Sequence, residues 1–388
     1  MFVWSGAVSA LPYPSAKIAE FLSTGEARTP FVVVDTDLVA SRYQQLAAAL
    51  PQARIYYAVK ANPAAPVLER LVADRSAFDV ASPAEIDMCL AAGAHPDDIS
   101  YGNTIKKRRD VAYAASCGVR RFTVDVDAEL DKVIECVPAA SICVRLRHEC
   151  AGADWPLSRK FGCEAADVVR LLVRAGESGS ECGVSFHVGS QQRDLGAWSD
   201  SLEVVADVFD RAGALGASPR FVNLGGGFPG TYRERTPDIA AYGSAIRSAI
   251  AHWFPGGLAE VMVEPGRYLV ADAGVLRSEV VLVSRRSPHD TERWVYIDCG
   301  KFHGLAETMD EAIRFRLRTG RDGDRTGPVV LAGPTCDSVD VLYEKSSYEL
   351  PMTLAEGDHV DVLSAGAYTT TYSSVGFNGF APLQEYFV

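Results

Sequence analysis

The sequence predicts an α/β protein with a (β/α)8 barrel followed by a C-terminal antiparallel β domain. From about residue 55, a short β-rich run, a turn and a helical pattern recur, and the first four runs begin at residues 55, 77, 99 and 121. This regular spacing suits successive βα units. After about residue 270, β-rich runs continue without regular helical segments, and 388 residues exceed what one hydrophobic core usually supports. We expect residues 30–270 to form the barrel, and residues 271–388, joined by residues 1–29, to form the β domain.

Eight β-rich runs provide the expected barrel strands. They are IYYAVK (55–60), AFDVAS (77–82), ISYGN (99–103), RFTVDV (121–126), SICVRLR (141–147), GVSFHVGS (183–190), FVNLGGGF (221–228) and VMVEPG (261–266). Helix-like segments lie between them, and Ser82 and Glu85 open one of these, residues 83–92, with a capping-box spacing. An open doubly wound sheet is the competing architecture, but eight consecutive units favour closure. Catalytic groups of such barrels collect at the carboxyl ends of the strands.

The expected β domain contains five further runs. They are VLRSEVVLVSR (275–285), WVYIDCG (294–300), PVVLAG (328–333), HVDVLSAGAY (359–368) and LQEYFV (383–388). Residues 285–293 and 318–328 are rich in turn formers and indicate exposed connections.

Charge and cysteine usage exclude several classes of function. The formal net charge of −12 argues against nucleic acid or anionic membranes as partners. The nine cysteines include no CxxC pair, which is typical of reduced intracellular thiols, so we expect neither a disulfide framework nor a metal site. The N-terminus lacks a basic start followed by an apolar core, and no run approaches membrane-spanning length. A cytoplasmic protein is therefore expected.

Lys60 is the first candidate catalyst, because it ends an apolar strand-like run and is followed directly by Ala61, Asn62 and Pro63. A lysine amine removed from water tends to lose its proton, become nucleophilic or form a Schiff base with an aldehyde. Taken alone, a strand-end lysine that reaches into solvent is the more common case.

Three further motifs follow predicted strands. The glycine-rich segment NLGGGFPG (223–230) can cradle a phosphate with its backbone amides or make a tight turn, and it is not a GxGxxG fingerprint. Glu264 and Arg267 in EPGR combine a carboxylate with a planar cation that suits phosphate or an ordinary ion pair. His187 in SFHVGSQ could stack on a flat cofactor, with the Ser190 hydroxyl nearby, or be a satisfied strand-end histidine.

The segment GPTCDSVD, in the expected β domain, carries the adjacent pair Cys336 and Asp337. A thiol can return a proton to a carbanion, and a carboxylate can hold a cationic amine. A buried cysteine beside a turn aspartate is the simpler interpretation of this segment in isolation.

Together these motifs occur in the order and spacing of one family. The sequence resembles the fold type III pyridoxal-phosphate decarboxylases, which have an alanine-racemase-like barrel and act on ornithine, lysine, diaminopimelate or arginine, and it is most similar to the bacterial ornithine/lysine group. The resemblance spans residues 58–380 and rests on AVKAN, FDVASPAEI, HVGSQ, GGGFPG, EPGRY, GPTCDSVD and GAY…FNGF.

The resemblance implies pyridoxal 5'-phosphate as cofactor. It makes Lys60 the lysine that bonds the cofactor aldehyde, His187 the ring-stacking residue and Glu264 the partner of the pyridine nitrogen. The implied phosphate-binding residues are Ser190, Gly226, Gly227, Gly266, Arg267 and Tyr368. The residues that organise the surroundings of the lysine are Asp79, Glu85, Arg145 and Lys160.

The resemblance also implies a homodimer, in which Cys336 and Asp337 reach the active site of the neighbouring subunit. Cys336 would be the general acid, and Asp337 the ligand of the distal amine of the substrate. A basic L-amino acid is then expected, with ornithine (giving putrescine for polyamine biosynthesis) favoured and lysine (giving cadaverine) next. Diaminopimelate or a modified diamino acid of specialised biosynthesis is a further alternative.

Residues 300–313 resemble the specificity region of the bacterial group and place Asp310 and Glu311 near the expected substrate end, with Tyr368 and Phe377 lining it. Two departures touch this region: His303 stands where a small residue is expected, and the stretch between Tyr368 and Phe377 is one residue longer than in animal ornithine enzymes.

Other functional classes would need different residues. A racemase would need a tyrosine base in place of GPTCDSVD, and a one-domain cofactor carrier would lack residues 270–388. A non-catalytic pyridoxal-phosphate-binding regulator resembling antizyme inhibitors would be expected to lose catalytic residues, whereas Lys60 and Cys336 are present.

Overall fold

The structure is a computed structural model that describes residues 14–155 and 159–388. In chain order its strands are β1 Phe31–Val34, β2 Ala53–Ala58, β3 Ala77–Val80, β4 Ile99–Tyr101, β5 Arg121–Val124, β6 Ser141–Arg145, β7 Ala153–Trp155, β8 Glu181–Ser185, β9 Ser190–Gln192, β10 Phe221–Asn223, β11 Glu260–Val263, β12 Gly274–Ser284, β13 Arg293–Ile297, β14 Leu317–Thr319, β15 Thr326–Ala332, β16 Val341–Pro351, β17 His359–Leu363 and β18 Gln384–Phe387. Its α-helices are α1 Ala16–Thr24, α2 Thr36–Ala49, α3 Ala65–Ala73, α4 Pro83–Ala91, α5 Arg108–Ser116, α6 Asp127–Cys136, α7 Ala165–Glu177, α8 Ala197–Ala214, α9 Ile239–Trp253 and α10 Arg267–Val270.

The chain separates into two compact units. The barrel unit comprises Val39–Gly230 and Ile239–Val270, and the β unit comprises Thr231–Asp238, Ala271–Val388 and the described residues up to Leu38. Residues 1–13, part of the segment expected to join the β domain, lie outside the described residues. Within the described ranges, no helix is both long and apolar enough to cross a bilayer.

The barrel unit confirms the predicted (β/α)8 barrel. Eight strands close in the order β10-β11-β2-β3-β4-β5-β6-β8, and every neighbouring pair is parallel. Each of the eight predicted runs contributes one of these strands. The barrel interior packs Tyr56, Ala77, Cys143, Phe221 and Met262 against one another.

Most predicted strands extend further along the chain than the observed ones. Strand β2 ends at Ala58, and Lys60 lies in the 3-10 turn Val59–Ala61 that follows. His187 comes after the end of β8, and Glu264 directly follows β11. The loops contain buried apolar residues such as Val59 and Phe186, so their composition cannot be told from that of the strands. The carboxyl ends of the parallel strands therefore carry these side chains on loops.

Helix α4 has the predicted capping arrangement with one difference. The Ser82 hydroxyl oxygen accepts the N–H of Glu85 at 3.3 Å, and the Glu85 carboxylate accepts the N–H of Ala81 at 2.6 Å. In the usual capping box that carboxylate would bind the N–H of the capping residue itself. The shift by one residue fixes Glu85 close to the end of β3.

The β unit contains a mixed, mostly antiparallel sheet, which refines the predicted antiparallel domain. Six strands follow the order β14-β17-β12-β13-β15-β16, with β1 pairing to β12 and β18. The pairs β1–β18 and β13–β15 are parallel. Strand β1 comes from the N-terminal part of the chain, and such long-range pairing is not encoded in local periodicity. Strands β1, β14 and β16 were not among the predicted runs.

Candidate active site

Lys60 lies at the carboxyl end of the barrel, but it neither closes a strand nor is buried. Its side chain is 53% exposed, and its Nζ is 3.6 Å from Oδ2 of Asp79. The ion pair with a buried carboxylate, rather than burial of the amine, distinguishes Lys60 from an ordinary surface lysine.

Asp79, near the end of β3, is a buried carboxyl group with unused hydrogen-bonding capacity. Its Oδ1 has no hydrogen-bond partner among the described residues. Burial first, and then the Glu264 carboxylate, raise its pKa to about 8, while Lys60 opposes the change. Gly102 makes room for this carboxyl, because a Cβ there would lie 2.0 Å from Oδ1. A buried, unpaired oxygen of this kind is commonly completed by water or by a bound group.

Glu85 and Arg145 add charge around the same point. Burial raises the pKa of Glu85, whereas the hydrogen bond from the Ala81 N–H and the charge of Lys60 both act to lower it. Burial lowers the pKa of Arg145, and the nearby carboxylates of Glu264 and Asp79 oppose this. The predicted surroundings of Lys60 thus contain the carboxyl groups of Asp79 and Glu85 and the guanidinium of Arg145.

Lys160, also predicted for this group, is exposed. Its ammonium lies 4.8 Å from the centre of the Phe161 ring, and the guanidinium of Arg145 lies 5.5 Å from the same ring. Phe161 thus lies in contact with two cations, a role that the sequence did not suggest.

His187 is a neutral imidazole. Its Nδ1 accepts the N–H of Gly189 at 3.0 Å, which assigns the ring proton to Nε2. Burial, followed by the charges of Arg145 and Lys60, lowers its pKa to about 3. A ring without charge at neutral pH can lie against a cationic heterocycle without electrostatic repulsion.

Asn223 links two loops of the site, and the sequence analysis missed it as a functional residue. Its Oδ1 accepts the N–H of Gly225 at 2.9 Å. Because a backbone N–H can only donate, this fixes the amide orientation, and Nδ2 donates to Oε1 of Glu264 at 2.5 Å. The N–H of Glu264 in turn donates to the carbonyl of Gly225 at 2.8 Å. The available signal was the position of Asn223 as the last residue of β10, directly before the glycine loop.

The glycine loop needs its glycines for space and conformation. Gly225 and Gly227 have φ of 65° and 103°, in the region that disfavours other residues. A Cβ on Gly226 would lie 2.6 Å from the carbonyl oxygen of Glu264, and one on Gly227 would lie 2.7 Å from that of Gly189. The loop therefore packs with bare backbone against the loops that follow β8 and β11.

Arg267 is a buried guanidinium that contacts a predicted partner. Its Nε and Nη2 donate to the hydroxyl of Ser190 at 3.3 and 3.2 Å. Gly266 precedes it and is also buried. A planar cation and a hydroxyl placed together suit a phosphate. The carboxyl end of the barrel thus carries the Lys60 amine, the Arg267–Ser190 pair that suits a phosphate, the neutral imidazole of His187, and the Glu264 carboxylate, which is hydrogen-bonded to Asn223.

The β unit holds the remaining predicted residues. Cys336 is exposed, and both its N–H and its thiol bind Oδ1 of Asn378, at 3.1 and 3.4 Å. Asp337 Oδ1 accepts the N–H of Val339 at 2.9 Å, which forms a local turn. Tyr368 has a left-handed φ of 57° in the loop after β17.

Three segments of the β unit, residues 300–303, 333–340 and 374–380, form what we name the Cys336 cluster. The Asp340 carboxylate accepts the N–H of Lys301 at 2.7 Å and the Thr335 hydroxyl at 2.7 Å. The rings of Phe302 and Phe377 have centroids 4.5 Å apart. Each of the three segments therefore contacts the other two.

His303 is the unusual member of this cluster. It is buried, and neither ring nitrogen has a hydrogen-bond partner among the described residues. Its ring lies edge-on to Phe380 with centroids 4.7 Å apart, and burial lowers its pKa. His303 therefore fills space behind the turn that carries Phe377 and Asn378.

The comparisons with known proteins decide the family. Residues 36–271 match the family described as pyridoxal-dependent decarboxylase, pyridoxal binding domain. This chain belongs to the pyridoxal-dependent decarboxylase family. The lysine/ornithine decarboxylase of Selenomonas ruminantium is 34% identical over 354 residues, covering 91% of this chain and 88% of that protein. Antizyme inhibitor 2 of Xenopus laevis is 32% identical over 380 residues, covering 94% and 82%.

Solved structures agree with this assignment. The lysine/ornithine decarboxylase of Vibrio vulnificus in complex with cadaverine has a TM-score of 0.86 at 29% identity, covering 96% of this chain and 99% of that one. The same enzyme is also known in complex with putrescine. This pyridoxal-dependent decarboxylase therefore uses pyridoxal 5'-phosphate in the decarboxylation of an amino acid.

The barrel end of the decarboxylase fits that cofactor. The unpaired Asp79 oxygen, the glycine loop without room for a Cβ, and the Arg267–Ser190 pair supply acceptor, cradle and cationic groups. Lys60, at the same end of the barrel, supplies the primary amine.

Glu311 has a structural role that differs from the predicted one. Its carboxylate accepts the backbone N–H groups of Glu344, Lys345 and Ser346 at 2.7, 2.6 and 2.6 Å. These bonds to β16 engage both carboxylate oxygens, so Glu311 has a structural role in the β unit, and its role as a ligand of the substrate amine stays a prediction. Asp310 is exposed, in a left-handed conformation with φ of 51°.

Replacing Glu311 with glutamine should lower the free energy of unfolding of the decarboxylase by about 1–3 kcal/mol, because the amide NH2 faces N–H donors that lose their acceptor. The measurement is the thermal unfolding midpoint. Asp310→Asn is the matched control: it changes the adjacent exposed acid and should move the midpoint little. Equal shifts for the two variants would contradict the structural role.

The pH dependence of this effect has a defined sign. Burial alone would raise the pKa of Glu311, but the hydrogen bonds from Ser346, Glu344 and Lys345 outweigh it and lower the pKa. The stabilisation is therefore complete above the unfolded-state value near 4.3 and is lost as pH falls through the lower folded-state pKa. The difference between wild type and Glu311→Gln should shrink below about pH 4.

Proposed function

We propose that this enzyme converts L-ornithine to putrescine and acts as a homodimer. The observation that carries the proposal is the pairing of a thiol with a carboxylate in the loop 333–340, which has two aspartates and no cation. A carboxylate in this position suits a substrate whose far end is an ammonium group. A second carboxylate, as in diaminopimelate, would need a cationic donor.

The residues of the barrel end are proposed to hold the cofactor. Lys60 would bond its aldehyde carbon, His187 would lie against its ring, and Glu264 would hold a proton on the pyridine nitrogen. The residues proposed around the phosphate are Ser190, Gly226, Gly227, Gly266, Arg267 and Tyr368. Bound in this way, the cofactor supplies an electron sink for the electrons released when the carboxyl group leaves as CO₂.

The side chains then have separate tasks. The side-chain amide of Asn223 keeps the Glu264 carboxylate aligned by donating from Nδ2 to Oε1. Asp79, Glu85 and Arg145 set the charge around the Lys60 amine, and Lys160 with Phe161 borders them. Cys336 delivers a proton to Cα after CO₂ has left, and Asp337 binds the distal ammonium.

A homodimer places Cys336 and Asp337 in the partner's active site. Apolar side chains that are strongly exposed in the single chain support this. Val339 (56%) and Val375 (84%) lie on the two segments joined by the Cys336–Asn378 bonds, and Tyr372 (47%) lies shortly before the second segment. Exposed apolar residues grouped around a few polar ones are typical of protein interfaces.

The choice between ornithine and lysine rests on the Cys336 cluster. Enzymes related to this one are named for both substrates, and the Vibrio enzyme is known with both diamines. In this chain the buried ring of His303 fills space behind the turn bearing Phe377. A shorter substrate pocket would favour the shorter amino acid. A regulator without activity, suggested by the antizyme inhibitor relative, is disfavoured because Lys60 and Cys336 are both present.

The test is CO₂ release and amine product from purified protein with pyridoxal phosphate, comparing L-ornithine, L-lysine, L-arginine and meso-diaminopimelate. Putrescine formed well ahead of cadaverine is the expected result. Asp337→Asn should lower kcat/KM for ornithine by about tenfold or more, because a charged hydrogen bond is lost. Asp310→Asn, a second candidate ligand for the amine, should have a smaller effect. Faster cadaverine formation would reassign the substrate to lysine, and no turnover of any of the four would contradict the proposal.

A further inference from the structure

Asn378 makes a pair of contacts that the proposed mechanism does not use. Its side-chain oxygen accepts hydrogen bonds from the N–H of Cys336 at 3.1 Å and from the Cys336 thiol at 3.4 Å. The N–H fixes the orientation of the amide, because a backbone donor requires the oxygen and not the NH2 group. The thiol therefore faces an oxygen that can only accept, and it must be the donor.

We propose that Asn378 is a positioning residue that holds the Cys336 thiol in one rotamer, with its S–H directed at the amide oxygen of Asn378. The inference rests on the proposed role of Cys336 as proton donor.

The chemistry requires this form of the thiol. In the proton transfer the S–H bond breaks, a C–H bond forms at the substrate Cα, which carries the electron pair left by CO₂, and the resulting thiolate takes a proton from water. A thiol is a weak hydrogen-bond donor, so the bond to Asn378 orients the proton without holding it strongly.

The rest of the Cys336 cluster keeps Asn378 in place. Asn378 has a left-handed φ of 52°, which asparagine tolerates better than most residues. The preceding Phe377 packs on Phe302. The Asp340 carboxylate joins residues 300–303 to the loop of Cys336, and a Cβ on Gly300 or Gly333 would lie within 2.4 Å of that carboxylate. The two segments that carry Cys336 and Asn378 are thus held together independently of their own hydrogen bonds.

Two variants separate the acceptor from the backbone conformation. Asn378→Gly keeps the left-handed backbone and removes the acceptor, whereas Asn378→Asp keeps an acceptor oxygen. Cys336 and Asn378 are both exposed, so neither Asn378→Gly nor Asn378→Asp should disturb the fold. Circular dichroism of the two variants checks this. The first readout is iodoacetamide labelling of Cys336 in the holoenzyme at near-neutral pH, resolved from the other cysteines by peptide mass spectrometry.

Labelling of Cys336 in Asn378→Gly should be about two- to tenfold faster than in wild type, the range for one neutral hydrogen bond. Asn378→Asp should label no faster than wild type. The second readout is the fraction of turnovers that give an aldehyde by-product instead of the amine, which should rise in Asn378→Gly and return toward wild type in Asn378→Asp.

Unchanged labelling in Asn378→Gly would overturn the inference. Cys336→Ala distinguishes this result from failure of the proposed function, because that variant raises the by-product fraction if Cys336 is the proton donor. If Cys336→Ala leaves the product ratio unchanged, the proposed proton donor is wrong, while the labelling result still decides whether Asn378 restrains the thiol.

Discussion

Replacing Lys60 with alanine is expected to lower the rate of amine formation by on the order of 10³-fold or more, because the chain loses the amine proposed to bond the cofactor and to exchange with the substrate. The alanine variant also loses the ion pair between Nζ and Asp79, which is 3.6 Å long in the wild-type chain. The measurement is steady-state putrescine formation with saturating cofactor.

Lys60→Arg is the matched control for this variant. Arginine keeps a positive charge beside Asp79 but has no primary amine that can lose its proton, since a guanidinium stays protonated in proteins. If Lys60 acts as a nucleophilic amine, Lys60→Ala and Lys60→Arg should have equally low rates of amine formation. Substantial activity in Lys60→Arg alone would mean that the charge, and not the amine, is what the reaction requires.

The same variant tests the proposed homodimer and the proposed place of Cys336 in it. Lys60→Ala and Cys336→Ala should each be nearly inactive in amine formation as homodimers. If Cys336 acts in the partner's site, mixing the two and allowing subunits to exchange should restore about a quarter of wild-type activity, because half of the dimers are mixed and each has one intact site. No recovery after proven exchange would place both residues in the same subunit's site.

The fold could be predicted from the sequence because its signal is local. Each barrel strand is a short β-rich run bounded by a turn, and the eight predicted runs are the eight observed strands. The strand ends were less predictable, because the loops that carry Lys60 and His187 are themselves partly apolar and buried. In the β unit, the parallel pairing of β1 with β18 joins residues more than 350 positions apart, which no local pattern encodes.

The barrel residues of the site could be nominated because each stands next to a strand end or a glycine motif. Residues whose role depends on partners distant in the sequence could not be predicted in this way. Glu311 lies in an acidic segment that predicts a substrate ligand, yet its carboxylate binds backbone amides 33–35 residues further along the chain. Asn378 contacts Cys336 across 42 residues, and no local sequence pattern pairs them.

Replacing Glu264 with glutamine is expected to lower kcat by about 10²-fold or more, since it removes a charge placed where the reaction develops charge. KM should change less, because Glu264 is proposed to contact the cofactor and not the substrate. Asn223→Ala is the graded comparison: it keeps the carboxylate but removes the Nδ2 donor that aligns it. The expected order of kcat is wild type, then Asn223→Ala, then Glu264→Gln. A value for Glu264→Gln near that of wild type would exclude Glu264 as the partner of the pyridine nitrogen.

Glu264→Gln, which is expected to lower kcat, should raise the stability of the cofactor-free protein at higher pH. After burial, the Glu264 carboxylate is the next cause of the raised pKa of Asp79, about 8. Because this folded-state pKa lies above the unfolded-state value near 3.9, the folded protein binds the extra proton, and Asp79 costs stability progressively from about pH 4 to pH 8. Glu264→Gln lowers the pKa of Asp79, and a one-unit fall corresponds to about 1.4 kcal/mol at the upper end of that range. Below that point Asp79 is protonated in both folded proteins, so the unfolding midpoint of the variant should rise relative to wild type only as pH approaches about 8. Curves that stay parallel up to that pH would show that the two carboxyl groups are not coupled. Selection for catalysis would then explain why the buried Asp79 and the partly buried Glu264 are kept together at the cost of stability.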